Sequence, residues 1–296
     1  MQKRDVLSSP RLRELKKQRR KNLRNKIILY SVFFAIGLIC LTLIARIPSL
    51  RIENINISGN KVIEVESVRS RVAQDISGYY FWLFPKNNFL LYPENTVLAN
   101  LTTEFRRIKD VSFEMDGHKT LNINFSEREG KYLWCGNEIS EEINQTLIAK
   151  ADANGCYFMD DNGYIFDRAP YFSGNVYFKF YGGLGGDGET PEGLSFMPLQ
   201  WKDILDFKNA ISKMELKPSI LYAKDDGDIE LYLASNLTPP NAQKILFRSD
   251  SDLNKIAENL ETALSTEPLA NDFRNNFNNL LYIDLRFGNK VYYKFK

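Results

Sequence analysis

The longest apolar stretch of the chain lies close to its N-terminus. Residues 27–45 form a run of 19 residues without a charged side chain. As an α-helix this run is about 28 Å long, close to the roughly 30 Å hydrocarbon core of a bilayer. A cleaved signal peptide is the alternative, but its apolar core is about 7 to 15 residues long and its small-x-small cleavage site does not fit Leu43. The pattern therefore predicts one uncleaved transmembrane helix at 27–45.

A different pattern, alternating between apolar and polar positions, begins shortly after this run. At most about 20 Å of extended chain links Arg46 to Ile52, so we expect the first folded domain to lie close to the membrane. Pro48 is expected to end the preceding helix. The periodicities that follow predict a strand at 52–57, helices at 65–76 and 94–103, and strands at 108–115 and 120–125. The order is strand, helix, helix, strand, strand.

The second half of the chain is richer in strand patterns. Asn162-Gly163 and Asp226-Gly227 are turn dipeptides between such runs. Apolar residues at helical spacing predict two amphipathic helices, at 204–214 and 253–264. We expect an α+β fold: one N-terminal transmembrane helix, a β-α-α-β-β domain, and a β-rich domain with helices packed on its sheet.

The last sixteen residues predict two strands joined by a Gly288-Asn289 turn. The alternation places two sets of side chains on opposite faces of this hairpin. One face is expected to carry Ile283, Leu285, Phe287, Val291, Tyr293 and Phe295, and the other Tyr282, Asp284, Arg286, Tyr292 and Lys294. The final strand is expected at a sheet edge, where unpaired backbone groups accept a partner strand.

Charge is distributed unevenly along the chain. The first 26 residues carry eleven Lys or Arg and two acidic residues, while the other 270 carry 28 basic and 35 acidic residues. This basic flank predicts an N-terminus in the cytoplasm, everything after residue 46 outside it, and contact of the flank with the lipid bilayer. An acidic body disfavours a nucleic-acid partner, because binding to phosphates needs positive charge on the folded surface.

Several segments resemble one known family. Residues 55–60 (INISGN) and 125–129 (FSERE) resemble the start and end of a POTRA domain of the FtsQ/DivIB type, behind a similar basic tail and single membrane helix. Residues 156–166 and 282–293 resemble the early hairpin and the closing strands of the family's second, β-rich domain. The resemblance implies four parts: a basic cytoplasmic tail at 1–26, the transmembrane helix at 27–45, a POTRA domain at 50–128 and the β domain at 129–296.

The same resemblance implies a function. FtsQ proteins are non-enzymatic scaffolds of the bacterial division machinery, located at the division septum in the cytoplasmic membrane, and they bind FtsB and FtsL outside the cytoplasm. FtsB docks at the end of the β domain, which makes Arg286, Phe287, Tyr292 and Tyr293 the candidate contacts here. The alternative for these aromatic residues is that they complete the core and take no part in binding.

The sequence offers little for catalysis, metal binding or cofactor binding. His118 is the one histidine and follows the Asp116-Gly117 turn, so we expect an exposed turn residue. The glycines of residues 182–193 lack the Gly-Lys-Ser/Thr ending of a phosphate-binding loop, so we interpret this segment as a surface loop. The carboxylates at 225–230 lack the ligand spacing of a calcium-binding loop, so we interpret them as part of a solvated hairpin. We expect no cofactor and no small-molecule substrate. The competing interpretations are a membrane-anchored envelope enzyme or sensor and, less favoured, an outer-membrane assembly factor, which would need a membrane β-barrel.

Cysteine placement allows two outcomes. Cys40 lies in the predicted membrane helix, whereas Cys135 and Cys156 lie outside the cytoplasm in the predicted topology. That compartment permits a disulfide between these two, and two unpaired thiols are the open alternative.

Overall fold

A long helix, α1 (Pro10–Ala45), opens the computed structural model, which describes residues 10–139, 155–172, 176–186, 190–235, 237, 239 and 241–296. The predicted helix at 27–45 is confirmed, and α1 also extends back through much of the predicted basic tail, a segment rich in good helix formers. Helix α1 is long and apolar enough to cross a bilayer. It ends at Ala45, and Pro48 begins a short 3-10 helix, Pro48–Leu50.

The chain divides into two compact units, and α1 belongs to the first. The first comprises the residues up to Leu101 together with Asp110–Phe125, and the second comprises Thr102–Lys109 and Ser126–Lys296. Both contain helices and strands, so the predicted α+β class is confirmed.

The first unit has a three-stranded sheet with helices beside it. Its elements are β1 (Asn54–Ser58), α2 (Val65–Asp75), β2 (Tyr79–Tyr80), β3 (Phe84–Pro85), α3 (Glu94–Glu104), β4 (Ile108–Asp116) and β5 (Thr120–Glu127). The sheet order is β1-β5-β4, with β1 parallel to β5. Apolar side chains from both helices and from the central strand are buried in this unit: Val68, Val72, Val97, Leu101, Leu121 and Ile123.

The predicted order of this unit lacked one feature. Strands β2 and β3 pair as a separate two-stranded hairpin between the two helices. Each strand has two residues, too short for an alternating pattern to be recognised.

The second unit is built on a nine-stranded sheet. Its elements are β6 (Tyr132–Trp134), β7 (Tyr157–Met159), β8 (Ile165–Arg168), β9 (Lys179–Tyr181), α4 (Trp201–Lys213), β10 (Pro218–Ala223), β11 (Asp228–Leu233), β12 (Lys244–Arg248), α5 (Leu253–Ser265), α6 (Leu269–Asn276), β13 (Leu280–Phe287) and β14 (Lys290–Phe295). The strand order is β14-β13-β12-β11-β10-β9-β6-β7-β8. Pairing is mixed, and β13 runs parallel to β12 but antiparallel to β14.

The two predicted helices of this unit, α4 and α5, cover one face of the sheet. Ile204, Phe207 and Ile211 of α4 are buried, and Ile256 and Leu260 of α5 join the same core. Asp252 caps α5 by accepting hydrogen bonds from two backbone N–H groups of its first turn. Helix α6 was not predicted, because in eight residues only its first two, Leu269 and Ala270, are buried and no repeat develops.

Candidate partner-binding surface

The C-terminal hairpin, Leu280–Phe295, forms one end of the large sheet. Its two strands and the Gly288-Asn289 turn are as predicted, and Gly288 has the positive φ of +67° that such a turn needs. Among the strands that the structure describes, β14 pairs with β13 and with no other. The outer edge of β14 therefore presents backbone groups without a strand partner.

One face of this hairpin packs onto the core. Ile283 and Leu285 are buried, and Val291, Tyr293 and Phe295 of β14 pack against the same cluster. These five residues lie on the face predicted for them. Tyr293, a candidate contact, thus has its ring on the core side of β14.

Phe287 does not follow this pattern. The sequence placed it with Ile283 and Leu285, but its side chain is 56% exposed and its ring lies 5.3 Å from that of Tyr292, edge to face. The register of β13 and β14 shifts between Asp284 and Phe287, and such an irregularity breaks the alternation of faces. Phe287 and Tyr292 therefore form an exposed aromatic pair beside the sheet edge.

Arg286 is held in place by two carboxylates. Its guanidinium donates to Asp284 at 2.9 Å from Nε and 2.6 Å from Nη2, and it also bonds Asp228 on β11. The side chain of Asp284 is only 7% exposed. These bonds, those to Asp284 first, raise the pKa of Arg286. Its Cζ atom lies 5.9 Å from the centroid of the Phe287 ring, so the same cation borders the aromatic pair.

A second cluster of charged side chains lies on the same face of the sheet. Glu230 of β11 accepts from Lys224 at 2.7 Å, from Lys244 at 3.0 Å and from the hydroxyl of Tyr232. Burial opposes ionisation of Glu230, but these three hydrogen bonds prevail and lower its pKa. Burial and the bond to Glu230 raise the pKa of Tyr232.

The prediction of a solvated hairpin at 225–230 was therefore wrong in part. Asp225 and Asp226 are exposed in the turn, whereas Asp228 and Glu230 are ion-paired and Glu230 is buried. Asp228 and Glu230 are two residues apart on β11, so both lie on one face of the strand together with Tyr232. This alternation in the sequence could have indicated that the two carboxylates share a face of the sheet.

The structure also places the other groups that the sequence offered for catalysis or ligand binding. His118 is an exposed turn residue, as predicted, with its ring 4.6 Å from that of Phe89. Within the described ranges, no cluster of three or more His, Cys, Asp or Glu side chains is arranged to hold a metal ion. Of the glycine-rich loop, Gly182, Gly186 and Gly193 have positive φ, while Gly188 lies outside the described residues.

Cys135 and Cys156 form a disulfide bond. Cys135 follows β6 and Cys156 precedes β7, and their sulfur atoms lie at a bonding distance of 2.02 Å. The antiparallel pairing of β6 with β7 brings the two positions together. Cys40 is a free thiol on α1.

Comparison with known proteins shows a similarity to a cell division protein. No family model matches the chain. The cell division protein DivIB of Listeria monocytogenes serovar 1/2a is 29% identical over 131 residues, which is 44% of this chain and 47% of DivIB. The resemblance to the FtsQ/DivIB family is confirmed. The chain spans about half the length of this relative, whose name states a role in cell division. The apolar helix α1 and this similarity together fit a single-pass membrane protein of cell division.

Proposed function

We propose that this chain is a non-enzymatic, single-pass membrane scaffold of the bacterial division machinery. Its N-terminus lies in the cytoplasm, and its two units lie outside, at the division septum. The first unit acts as a POTRA domain and the second as the β domain of an FtsQ-type protein. Support comes from the apolar helix α1, the basic residues that precede its apolar part, and the similarity to DivIB.

The sheet edge at β14 is the proposed docking site for a bitopic partner of the FtsB type, acting together with one of the FtsL type. The observation that carries this proposal is the exposed Phe287–Tyr292 pair beside an edge that lacks a strand partner in the described part of the chain. An added strand gains main-chain hydrogen bonds along such an edge, and exposed aromatic residues supply apolar contact area.

The four candidate residues have different roles in this proposal. Phe287 and Tyr292 contact the partner directly, because their side chains are 56% and 48% exposed. Arg286 acts mainly by tying the end of β13 to β11 through Asp228, and Tyr293 by holding β14 on the core. Their replacement is expected to weaken binding through the shape of the hairpin.

Binding measurements on the full chain in lipid nanodiscs separate these roles. Tyr292→Ala is expected to weaken binding of the FtsB-type partner by about 1–3 kcal/mol, roughly 5- to 150-fold in Kd, with the thermal unfolding of the chain unchanged. Tyr171→Ala is the matched control, because Tyr171 is a 62% exposed tyrosine of the same unit away from β14. Equal affinities for both variants would contradict docking at this edge.

A cellular experiment tests the division role itself. Depletion of the protein is expected to give filamentous, undivided cells. The full chain should restore division, whereas a chain lacking residues 291–296 should not, provided that it is folded and present in the membrane. Normal division after depletion would contradict the proposed function.

A further inference from the structure

The hairpin of β2 and β3 carries two aromatic side chains at its tip that no described residue of the first unit covers. Phe81 and Trp82 are 87% and 88% exposed. Both have positive φ, +48° and +59°, and the N–H of Leu83 closes the turn on the carbonyl of Tyr80 at 3.0 Å. Gly, Asn or Asp is the usual choice at such positions, because a Cβ atom disfavours positive φ. The fold of this turn gives no reason for two large aromatic residues here.

This hairpin is attached to the end of α1. The guanidinium of Arg46, the residue after the helix, donates to the carbonyl of Trp82 at 2.7 Å and to that of Leu83 at 3.2 Å. Asn88, which is buried, donates to the carbonyl of Ala45 at 3.1 Å. The tip is therefore fixed beside the last turn of the apolar helix.

Between helix and hairpin lies an apolar groove of about 520 Å³. Leu41 and Ile44 of α1 form one wall, and Phe81, Phe84, Leu90 and Leu91 are among the other lining residues. Leu41 lies four residues before the helix end, or about 6 Å along the axis. The groove thus reaches into the length of α1 that lies in the hydrocarbon core if the helix spans the bilayer.

We propose that the hairpin tip inserts into the bilayer leaflet on the side of the folded units and that phospholipid acyl chains fill this groove. The inference rests on the membrane anchor of the proposed function, since a wall of the groove belongs to the membrane-spanning segment. Phe81, Trp82 and Leu90 enter the acyl region, and Arg46 lies at the level of the headgroups. Aromatic residues concentrate at this depth because their rings suit the boundary between water and hydrocarbon.

The arrangement gives the first unit a second point of membrane attachment. A single membrane-spanning helix can rotate about its own axis in the bilayer, and the first unit would rotate with it. Insertion of the tip would fix which face of the first unit lies against the lipid, since Arg46 and Asn88 already tie the hairpin to the helix.

Tryptophan fluorescence tests the proposal on the full chain. Trp82 is exposed, whereas Trp134 and Trp201 are 7% and 6% exposed in the second unit. The chain is reconstituted in phosphatidylcholine and phosphatidylglycerol vesicles, with and without brominated acyl chains, and vesicle flotation verifies incorporation. Brominated lipid is expected to remove most of the Trp82 emission, and aqueous iodide is expected to quench little of it. Trp82→Phe is the control, and it should abolish the bromine-dependent loss.

Three results would overturn the proposal. Quenching of Trp82 by iodide but not by brominated lipid, in vesicles that carry the protein, refutes insertion and leaves the anchor intact. Protection of Trp82 from both quenchers would mean that protein, such as a second copy of this chain, covers the tip. Failure of the chain to float with vesicles would refute the membrane anchor and the inference together.

Discussion

Arg286 offers a sharp test of the charged face of the sheet. The sequence suggested a contact residue for a partner, but the structure ties its guanidinium to Asp284 and Asp228. Arg286→Ala removes every bond of the guanidinium and leaves the carboxylate of Asp284, with a side chain 7% exposed, without that cation. We therefore expect loss of stability before any effect on binding is considered.

The magnitude follows from the exposure of the partners. Removing one partner of a buried ion pair costs about 3–5 kcal/mol. Here the side chain of Arg286 is 30% exposed, and Asp228 keeps a bond to Arg248 at 3.3 Å. We therefore expect a smaller loss of about 2–3 kcal/mol, which lowers the Tm of a domain of about 150–250 residues by roughly 5–10 °C.

Thermal unfolding of the full chain, followed by near-ultraviolet circular dichroism, measures this loss. Adding Asp284→Asn to Arg286→Ala should recover part of the stability, because it removes the carboxylate charge that has lost its cation. Arg274→Ala, at an exposed arginine of α6, is the control and should leave Tm unchanged. A Tm for Arg286→Ala equal to that of the control would contradict a stabilising role for the bonds of Arg286 to Asp284 and Asp228.

Two further predictions concern the second unit. Replacing Cys135 and Cys156 with Ser should lower the free energy of unfolding by about 3 kcal/mol, because the disulfide closes a loop between cysteines that are 21 positions apart. Thiol labelling of the unreduced, denatured chain should detect Cys40 alone. Full labelling of all three would contradict the disulfide. Because the pKa of Glu230 is lowered on folding, its contribution to stability is present above its ordinary pKa of about 4.3 and is lost as pH falls through its folded pKa. Glu230→Gln should therefore flatten the fall of Tm on acidification below about pH 4.5, and an unchanged pH profile would contradict this.

Sequence reasoning succeeded where a pattern was long and local. The apolar run of α1, the amphipathic helices α4 and α5 and the Gly288-Asn289 turn each carry their signal within a few residues, and the structure has all of them. Sequence patterns did not predict contacts between residues that are far apart along the chain. Asp228 and Arg286 are 58 residues apart, and only the sheet order brings β11 and β13 to either side of β12.

Sequence patterns also gave a wrong position for a residue that departs from the alternation of faces along a strand. A shift of register near the end of β13 turned Phe287 from the core face toward Tyr292, and a simple alternation cannot contain such a shift. The hairpin at Phe81 and Trp82 was missed because its strands have two residues each and its turn lacks the usual glycine or asparagine.

Site-specific photo-crosslinking in dividing cells detects which protein lies against the edge of β14. A photoreactive amino acid replaces Tyr292 in the full chain, and the same residue at the exposed position of Tyr171 serves as the control. We expect that the probe at Tyr292 crosslinks a small bitopic membrane partner of the FtsB type and that the probe at Tyr171 does not. Equal crosslinking from both positions, or none from Tyr292 in cells that divide normally, would contradict docking at the edge of β14.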